Sequence, residues 1–451
     1  MNKSEILDRV QSLETKKVKI AFSDIDGILR GKYIHKEKFS DAVKNGIGFC
    51  DVIFGWDCND KCYDNSEITG WHTGYPDAKA SIDLATFREI PWENNTPFFL
   101  GDFADDAKYE EAVCSRSLLK RVARNCHEMG FKPLFSQEFE WFNFLGTPNE
   151  IAAGNFENLV PATPGMFGYS ILRTSLNSDY FNDLFSLMGK FGVPLEGLHT
   201  ETGPGVLEAT AIYDEVLHAA DKAILFKTAV KEISYRHNFV STFMAKWNPE
   251  LPGSGGHIHQ SLWNLEQTNN LFYSDADSDK MSGLMKHYIA GQLKCLPEIL
   301  PMFAPNPNSY RRLSGGDWAP STLTWGVDNR TASIRAIPGT PRSARIETRV
   351  PGADTNAYLV MAAALASGLY GIKKRLLPGE ATLGNGYTDK SKGVLPTSLE
   401  EATEKMAKSE IANELFGDAF VKHFTATRRW ECRQADSGDP KWELKRYFEI
   451  I

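Results

Sequence analysis

The sequence lacks the features that define several classes of protein. It has no apolar run long enough for a membrane span, and no apolar core follows its N-terminus as in a signal peptide. The longest uncharged stretch, residues 355–372, is dominated by alanine at its centre and predicts a buried helix. There is no block of like charge and no internal repeat, which excludes a mainly disordered chain and a solenoid.

Cysteine is also scarce, with seven residues that are scattered and odd in number. This favours reduced thiols over a disulfide framework, so we expect a cytoplasmic protein. Cys58 and Cys62 are close in sequence, but no second pair accompanies them, and the spacing does not predict a zinc site.

Positive charge does not dominate either. The chain has 50 Lys and Arg against 58 Asp and Glu, which gives a formal net charge of −8. Such a chain is poorly suited to follow a phosphate backbone, so we do not expect nucleic acid as a partner. What is present is ordinary globular composition over 451 residues, enough for two or three domains with a large core.

Two regions of different character follow one another. The first hundred residues are rich in short strand patterns, including residues 17–23 before a turn at 24–27. From about residue 110 helical spacing begins, and helices then alternate with strands. We therefore predict an α+β protein with a domain over residues 1–106 and a larger domain over 107–451, whose helices pack on an antiparallel or mixed sheet. The clearest predicted helices in the larger domain cover residues 110–129, 213–236, 280–296, 357–375, 400–408 and 442–448.

Glutamates recur in pairs. Glu138 and Glu140 are two positions apart in an aromatic strand-like segment, so they project to the same face. Glu201 and Glu208 flank the turn signal Gly-Pro-Gly at 203–205, which lets the chain fold back and bring them together. Each pair alone is common on a solvated surface, but carboxylates placed side by side repel unless a cation lies between them.

A glycine-rich loop at residues 253–256 precedes two histidines. Glycines allow close backbone approach to a ligand, and His257 and His259 face the same way on the strand that follows. This pattern indicates a metal or phosphate site, although a pair of ordinary buried or surface histidines gives the same sequence.

Arginine supplies all the basic charge between residues 311 and 349. The stretch contains no lysine and seven arginines, at positions 311, 312, 330, 335, 342, 345 and 349. Guanidinium groups are preferred where a carboxylate or phosphate is bound bidentately. A charged surface strand is the plain alternative, but several of these arginines alternate with Ile and Ala as in a half-buried strand.

Together these motifs provide the parts of a phosphoryl-transfer site. The candidate ligands of a hard cation are Glu138, Glu140, Glu201, Glu208, Glu347 and His257. Mostly oxygen ligands favour Mg²⁺ or Mn²⁺ over zinc. Arginines, divalent ions and a glycine-rich loop are the usual components of phosphoryl transfer. The sequence has no Gly-x4-Gly-Lys-Ser/Thr motif, which excludes a Walker-type site.

In their order along the chain, these motifs resemble the glutamine synthetase superfamily over nearly the whole length. The matching motifs are Glu138-x-Glu140, Glu201-x-x-Pro204-Gly205-x-x-Glu208, Gly253-Ser254-Gly255-x-His257-x-His259-x-Ser261, Asn308-Ser309-Tyr310-x-Arg312-Leu313, Asn329-Arg330-x-Ala332-x-Ile334-Arg335 and Arg345-x-Glu347-x-Arg349. The resemblance implies a β-grasp-like N-terminal domain and a catalytic domain with a curved antiparallel sheet backed by helices. It also implies a homo-oligomer, usually a dodecamer of two rings, with active sites shared between subunits.

The activity that the resemblance implies is the ATP-dependent activation of the glutamate side-chain carboxylate as γ-glutamyl phosphate, which an amine then attacks. ATP and two or three Mg²⁺ or Mn²⁺ ions would occupy each site. Metal ligands would fall into two sets, Glu140, Glu201 and Glu208 for one ion, and Glu138, His257 and Glu347 for the other. Substrate glutamate would contact Arg312, Arg349 and the backbone of Gly253. Arg330 would act on the transferring phosphoryl group, and Glu196, His259, Ser261, Arg335 and Arg345 would surround the nucleotide.

Two departures from the family pattern concern the acceptor. In ammonia-using members a glutamate before Ala-Pro helps to bind ammonium and receive its proton, whereas here Trp318 stands at that position. An indole cannot replace a carboxylate, but a cation–π contact could hold an alkylammonium. The usual Phe-Asp-Gly-Ser-Ser stretch is also absent, which leaves Asp57 or Asp51 as the acceptor-binding aspartate, with Asp57 taken as the candidate.

An organic amine is therefore the leading hypothesis for the acceptor. A glutamine synthetase that uses ammonia through a divergent ammonium site is the alternative. A non-catalytic relative is disfavoured, because all six metal-type ligands and the key arginines are present.

Overall fold

The structure is a computed structural model that describes residues 1–103, 107–314, 318–435 and 438–451. The predicted domain boundary between residues 106 and 107 adjoins the segment 104–106, which lies outside the described residues, so this boundary stays a prediction. Within the described part of the chain, none of the helices combines the length and apolarity that crossing a bilayer requires.

The N-terminal region forms a sheet with two helices. Its elements are α1 (Lys3–Ser12), β1 (Lys17–Ser23), β2 (Leu29–His35), α2 (Lys36–Asn45), β3 (Ile47–Cys50), β4 (Asp77–Ile82), β5 (Arg88–Ile90) and β6 (Thr96–Asp102). The strand order is β2-β1-β6-β4-β3, and β5 pairs with β6. β1 and β2 form an antiparallel hairpin around the predicted turn, where Gly27 has a φ of +81°. β1 and β6 are parallel.

The remainder of the chain supplies a second sheet and most of the helices. It contains α3 (Ala107–Ala112), α4 (Ser115–Glu128), β7 (Phe131–Leu145), α5 (Pro148–Ala153), α6 (Ile171–Leu176), α7 (Ser178–Lys190), β8 (Leu195–Thr200), β9 (Val206–Ala211), β10 (Asp214–Glu215), α8 (Val216–Arg236), β11 (Phe239–Thr242), β12 (Gly256–Asn264), α9 (Gly283–Cys295), α10 (Pro307–Ser314), β13 (Trp325–Val327), β14 (Ile334–Ile337), β15 (Arg345–Thr348), α11 (Ala357–Lys374), α12 (Leu399–Ala407), α13 (Glu410–Phe416), α14 (Asp418–Gln434) and α15 (Trp442–Tyr447). Short 3-10 turns cover Asp51–Phe54, Leu84–Thr86, Leu296–Glu298, Leu300–Met302, Gly386–Thr388 and Lys390–Lys392.

The second sheet runs β13-β14-β15-β12-β7-β9-β8, with β10 and β11 added to β7. Its pairs are antiparallel except for β13 and β14, which are parallel. The strand alternation in β7 separates two faces. Phe139 and Trp141 pack against Phe226 of α8, whereas Glu138 and Glu140 lie on the opposite face. The predicted α+β fold is confirmed.

The helices form a layer behind the sheet. α8 packs on β7, and the alanine-rich α11 packs against α4, α8 and α9. α9 and α11 cross closely because both carry glycine at the contact, where a Cβ on Gly291 would lie 2.2 Å from the carbonyl oxygen of Ser367. The predicted helix 110–129 is instead two helices, because Cys114 adopts extended backbone between them. The predicted helix 213–236 begins at Val216, because Asp214 and Glu215 pair with β7.

The N-terminal sheet packs directly on this layer. In β6, Phe98 and Leu100 enter the large core together with residues of α4 and α8. Phe99 points the other way, into a smaller N-terminal core beside Phe39. The sheet thus has an apolar surface on both faces and lies between two cores.

Candidate active site

One cluster of ligand-type side chains is produced by strand register. β12 pairs with β7 so that His257 lies opposite Glu138, and it pairs with β15 so that His259 lies opposite Glu347. Ligand atoms of Glu138, His259 and Glu347 all lie within 4.8 Å of one another. His257 Nδ1 is 3.1 Å from Glu138 Oε1 and 3.5 Å from Glu347 Oε1. The register therefore brings together the predicted ligands Glu138, His257 and Glu347, and it adds His259, which was predicted to contact the nucleotide.

The buried ring of His257 lies between this cluster and the next one. Its Nε2 is buried and has no hydrogen-bond partner in the described part of the chain. A Cβ on Gly255 would lie 2.5 Å from that Nε2 and 3.0 Å from Glu140 Oε1, so only glycine lets the two groups approach this loop. An orphaned buried nitrogen beside carboxylates fits a ring that ligates a cation.

The second cluster contains the predicted ligands Glu140, Glu201 and Glu208. Glu140 lies opposite Glu208 in the pairing of β7 with β9. The backbone N–H of Gly255 donates to Glu140 at 2.7 Å. Burial and the negative charge of Glu208 nevertheless raise the pKa of Glu140 to about 8, and Glu201 adds to the repulsion. A divalent cation reverses this penalty, so the donor set fits Mg²⁺ or Mn²⁺.

Two residues next to this cluster were not predicted. His199 Nε2 is 3.2 Å from Glu208 Oε1. Although burial opposes it, the Glu208 carboxylate raises the pKa of His199 to about 9. The ring of Tyr169 stacks on His199 at 4.4 Å between centroids and is 64% exposed. Neither residue had a local signal in the sequence. β8 ends at Thr200, before Glu201, and the partner of His199, Glu208, lies on the neighbouring strand β9.

The arginines extend the same face of the sheet. Arg335 Nη1 donates to Glu347 at 3.0 Å, and Arg349 contacts the other oxygen of Glu347. Although burial opposes it, Arg349 and the two histidines lower the pKa of Glu347 to about 2. Arg345 Nε donates to His259 Nδ1 at 3.2 Å.

The predicted contacts of substrate glutamate form a compact group. Arg312 is buried, and its guanidinium donates to the carbonyl of Val350 at 2.8 Å and to that of Arg349 at 3.3 Å. A Cβ on Gly253 would lie 2.9 Å from Cγ of Arg312, so the glycine permits this close packing. Arg312, Arg349 and Gly253 are therefore adjacent.

A cavity of about 380 Å³ adjoins the first metal-type cluster. Its lining includes four of the five predicted nucleotide contacts, Glu196, His259, Ser261 and Arg345, together with Glu138. The fifth, Arg335, is instead engaged with Glu347 and Asp328.

In the described part of the chain, three predicted site residues form no hydrogen bond or ion pair with these clusters. Arg330 is exposed and acts electrostatically on Tyr169. Trp318 is 55% exposed with a φ of +62°, and it follows residues 315–317, which lie outside the described part of the chain. Asp57 is buried, and its carboxylate accepts from Trp430 at 2.9 Å and from Arg446 at 2.8 Å.

The described hydrogen bonds of Asp57 and Asp51 involve none of the clustered glutamates. Although burial opposes it, Arg446 and Trp430 lower the pKa of Asp57. The alternative residue Asp51 is also buried and accepts from the Tyr109 hydroxyl at 2.8 Å. Within one chain, then, the described contacts of Asp57 join the N-terminal region to α14 and α15.

A sheet face that carries carboxylates, histidines and arginines together is typical of proteins that bind divalent cations next to anionic ligands. Residues 112–447 match the family model "Glutamine synthetase, catalytic domain". The chain belongs to the glutamine synthetase family, whose members are carbon–nitrogen ligases that use ATP and divalent metal ions.

The similar proteins include one named as a glutamine synthetase and two named for organic amines. Type-1 glutamine synthetase 2 of Dictyostelium discoideum is 51% identical over 99% of this chain and 86% of its own length. Glutamate–isopropylamine ligase of a Pseudomonas species is 37% identical over 100% of this chain and 99% of its own. Gamma-glutamylethanolamide synthetase of Streptomyces coelicolor is 35% identical over 96% and 92%. The solved structure of GmaS with ADP has a TM-score of 0.83 and 25% identity and covers 98% of each chain.

Proposed function

We propose that this protein is an ATP-dependent glutamate–amine ligase whose acceptor is an organic amine. The side-chain carboxylate of glutamate attacks the γ-phosphorus of ATP, which yields γ-glutamyl phosphate and ADP. The amine nitrogen then attacks the activated carbonyl, phosphate leaves, and the nitrogen loses a proton. The observation that carries the proposal is a full set of activating side chains combined with Trp318 at the position of the acceptor glutamate.

The activating half of the reaction needs two anions to approach each other. Glu138, His257 and Glu347 would hold one divalent ion and Glu140, Glu201 and Glu208 another, with His259 adjoining the first set. Such ions supply charge neutralisation and polarise the phosphoryl oxygens. Arg312 and Arg349 bind the α-carboxylate of glutamate. Arg330, which is exposed, contacts the transferring phosphoryl group.

We assign an aromatic character to the accepting half of the site, on the exposure of Tyr169 and the position of Trp318 in the sequence. Tyr169 is largely exposed beside the second glutamate cluster, and the exposed indole of Trp318 replaces a carboxylate. Aromatic faces attract alkylammonium ions by cation–π contact and also bury their apolar carbons. Two relatives carry organic amines in their names, isopropylamine and the ethanolamide, which supports this acceptor class.

ADP release tests the proposal directly. Purified protein would be incubated with ATP, Mg²⁺ and glutamate, alone and with ammonium, methylamine, isopropylamine, ethanolamine, a polyamine and an aromatic amine. We expect at least one organic amine to give faster ADP release than ammonium at equal concentration of free base. Full-speed release with ammonium alone would contradict the proposal.

The second candidate is a glutamine synthetase that uses ammonia through a divergent site. The 51% identity to a protein named as a glutamine synthetase favours it. The same assay separates the two candidates, because this one requires ammonium to be the preferred acceptor.

We also propose a homo-oligomer of two rings with shared active sites. Apolar side chains are exposed in succession beside the second glutamate cluster, including Met166, Phe167, Ile171, Leu172 and Leu176. Several exposed apolar side chains in one short segment are typical of a subunit contact. Light scattering after gel filtration tests it, and a dodecamer has twelve times the chain mass of 50.4 kDa. A monomer at micromolar concentration would contradict it.

A further inference from the structure

A second cavity, of about 740 Å³, lies between the N-terminal sheet and helix α8. Its lining comes from β1 and β2, from α8 and from the last residues of the sequence, and includes Lys19, Tyr33, Lys227 and Ile450. None of the described side chains assigned above to metal, glutamate or nucleotide lines it. Its volume lies in the range of small-molecule sites, roughly 300–1,000 Å³.

Lys227 is the unusual group in this cavity. The residue is 8% exposed and lines the cavity wall. Its ammonium group has no hydrogen bond or ion pair with any residue in the described ranges, and the ring centroid of Phe243 lies 5.6 Å from Nζ. Burial lowers the pKa of Lys227 to about 8, so the amine remains largely protonated at neutral pH.

The carboxylates that act on Lys227 are engaged elsewhere. Asp24 accepts from Arg30 at 2.9 Å, and Asp354 accepts from Asn306 at 3.1 Å. A buried cation without a counterion is costly, whereas one that meets an anionic ligand is not.

The other lysines of the lining and Glu232 already have partners, whereas Arg236 and Glu449 lie exposed at the edge of the lining. Lys19 is paired with Glu93 at 2.7 Å, and Lys231 donates to the backbone oxygen of Ile451 at 2.7 Å. Glu232 accepts from the indole of Trp92 at 2.6 Å. Among the described residues, Lys227 is thus a buried lysine of the lining whose ammonium has neither a carboxylate nor a backbone acceptor, and it lies next to aromatic surface.

We propose that this cavity binds a small organic anion, whose carboxylate or phosphate group pairs with Lys227 and whose apolar part contacts Tyr33, Trp92 and Phe239. The site lies behind the catalytic sheet. Phe226, next to Lys227, stacks on Phe139 at 5.3 Å, on the face of β7 opposite Glu138 and Glu140. An anion bound here would therefore lie on the side of β7 opposite the glutamate clusters.

Calorimetric titration with three small molecules that share a benzene ring tests the proposal. Benzoate and phenyl phosphate carry the two anionic groups, and benzamide carries neither. Saturating glutamate keeps the arginines of the candidate active site occupied. Lys227→Met removes the charge. Lys222→Met is the matched control, because Lys222 lies on the same helix, pairs with Asp214 at 2.7 Å and does not line the cavity.

We expect benzoate or phenyl phosphate to bind the native protein and the control variant, and to bind Lys227→Met about tenfold more weakly or worse. The better of the two anions identifies the head group, and benzamide binds weakly to all three proteins. No binding of either anion to the native protein, undiminished binding to Lys227→Met, or equally tight binding of benzamide would each overturn the proposal.

Thermal unfolding gives a second readout that a purely structural lysine would not produce. The anion should raise Tm of the native protein and of Lys222→Met but not of Lys227→Met. Without the anion, Lys227→Met should unfold at the native temperature or above it, because an uncompensated charge has been removed. A lower Tm for that variant would show that the ammonium has a structural partner and would contradict the proposal. If Lys227→Met does not fold, Lys227→Gln is used in its place in both measurements.

Discussion

At the scale of single residues, the chemistry of the site depends on groups that repel one another. Glu140 and Glu208 lie opposite each other on paired strands, and burial adds to their repulsion. A cation relieves this repulsion, which explains why a protein would keep these carboxylates buried.

Glu140→Gln tests that explanation. Removing one negative charge should abolish the rise in Tm that Mn²⁺ gives the native protein, and it should leave the metal-free protein at least as stable. Differential scanning calorimetry with and without Mn²⁺ measures both effects. Glu250→Gln, at an exposed position, is the control and should behave as the native protein. An unchanged Mn²⁺ response in Glu140→Gln would exclude this carboxylate as a ligand.

The acceptor preference is also argued at single residues. Trp318→Glu should raise the rate with ammonium relative to the rate with larger amines by about tenfold, because it restores a carboxylate and removes an aromatic surface. Initial rates of ADP release measure this ratio. Trp71→Glu is the matched control, since Trp71 is 80% exposed in the N-terminal region. If the ratio does not move in Trp318→Glu, this residue does not shape the acceptor pocket.

At the scale of elements, local sequence patterns predicted most of the helices and strands. The strand β7 and the helix α11 could be predicted because alternation and alanine content are local properties. The break between α3 and α4 could not be predicted. The apolar spacing continues across Cys114, but the backbone of Cys114 is extended and interrupts the helix.

The register of the strands could not be predicted either. The pairing of Glu138 with His257 joins positions 119 residues apart. Residue type and local spacing identified both side chains as candidate metal ligands. Only the folded sheet shows that the Glu138 oxygen lies next to the His257 nitrogen. His199 was missed for a related reason, because its partner Glu208 lies on the neighbouring strand.

The crossing of α9 and α11 gives a prediction at this scale. Gly291→Ala should destabilise the protein by roughly 1–3 kcal/mol, because its Cβ would collide with the backbone of α11. Gly283→Ala in the same helix is the control, since nothing lies within 4 Å of its Cβ, and it should be neutral or stabilise by about 0.5–1 kcal/mol. Urea unfolding measures both values. Equal effects of the two substitutions would show that the helices are less closely packed.

At the scale of the whole molecule, buried ion pairs join the first residues of the fold to its last helices. Arg428 of α14 pairs with Asp26 at 2.5 Å, and both side chains are almost fully buried. Arg446 of α15 pairs with Asp57 at 2.8 Å. Sequence patterns gave no sign of these contacts, because their partners are separated by nearly the whole chain.

Arg428→Met should therefore cost about 3–5 kcal/mol, because it leaves Asp26 buried without a counterion. The neighbouring Arg429 provides the control, since its pair with Glu404 is exposed on both sides, and Arg429→Met should change stability by less than about 1 kcal/mol. Chemical unfolding of the two variants side by side measures the difference. Similar values would show that the buried pair does not join the two regions.

The central claim, that glutamate is coupled to an organic amine, is tested most directly by competition. The protein would be given ATP, Mg²⁺ and glutamate with equal free-base concentrations of ammonia and isopropylamine, and the products would be quantified by mass spectrometry, with methylamine and ethanolamine in parallel. We predict that a γ-glutamyl amide of an organic amine exceeds glutamine in at least one of these mixtures. Glutamine as the dominant product in every mixture would contradict the account.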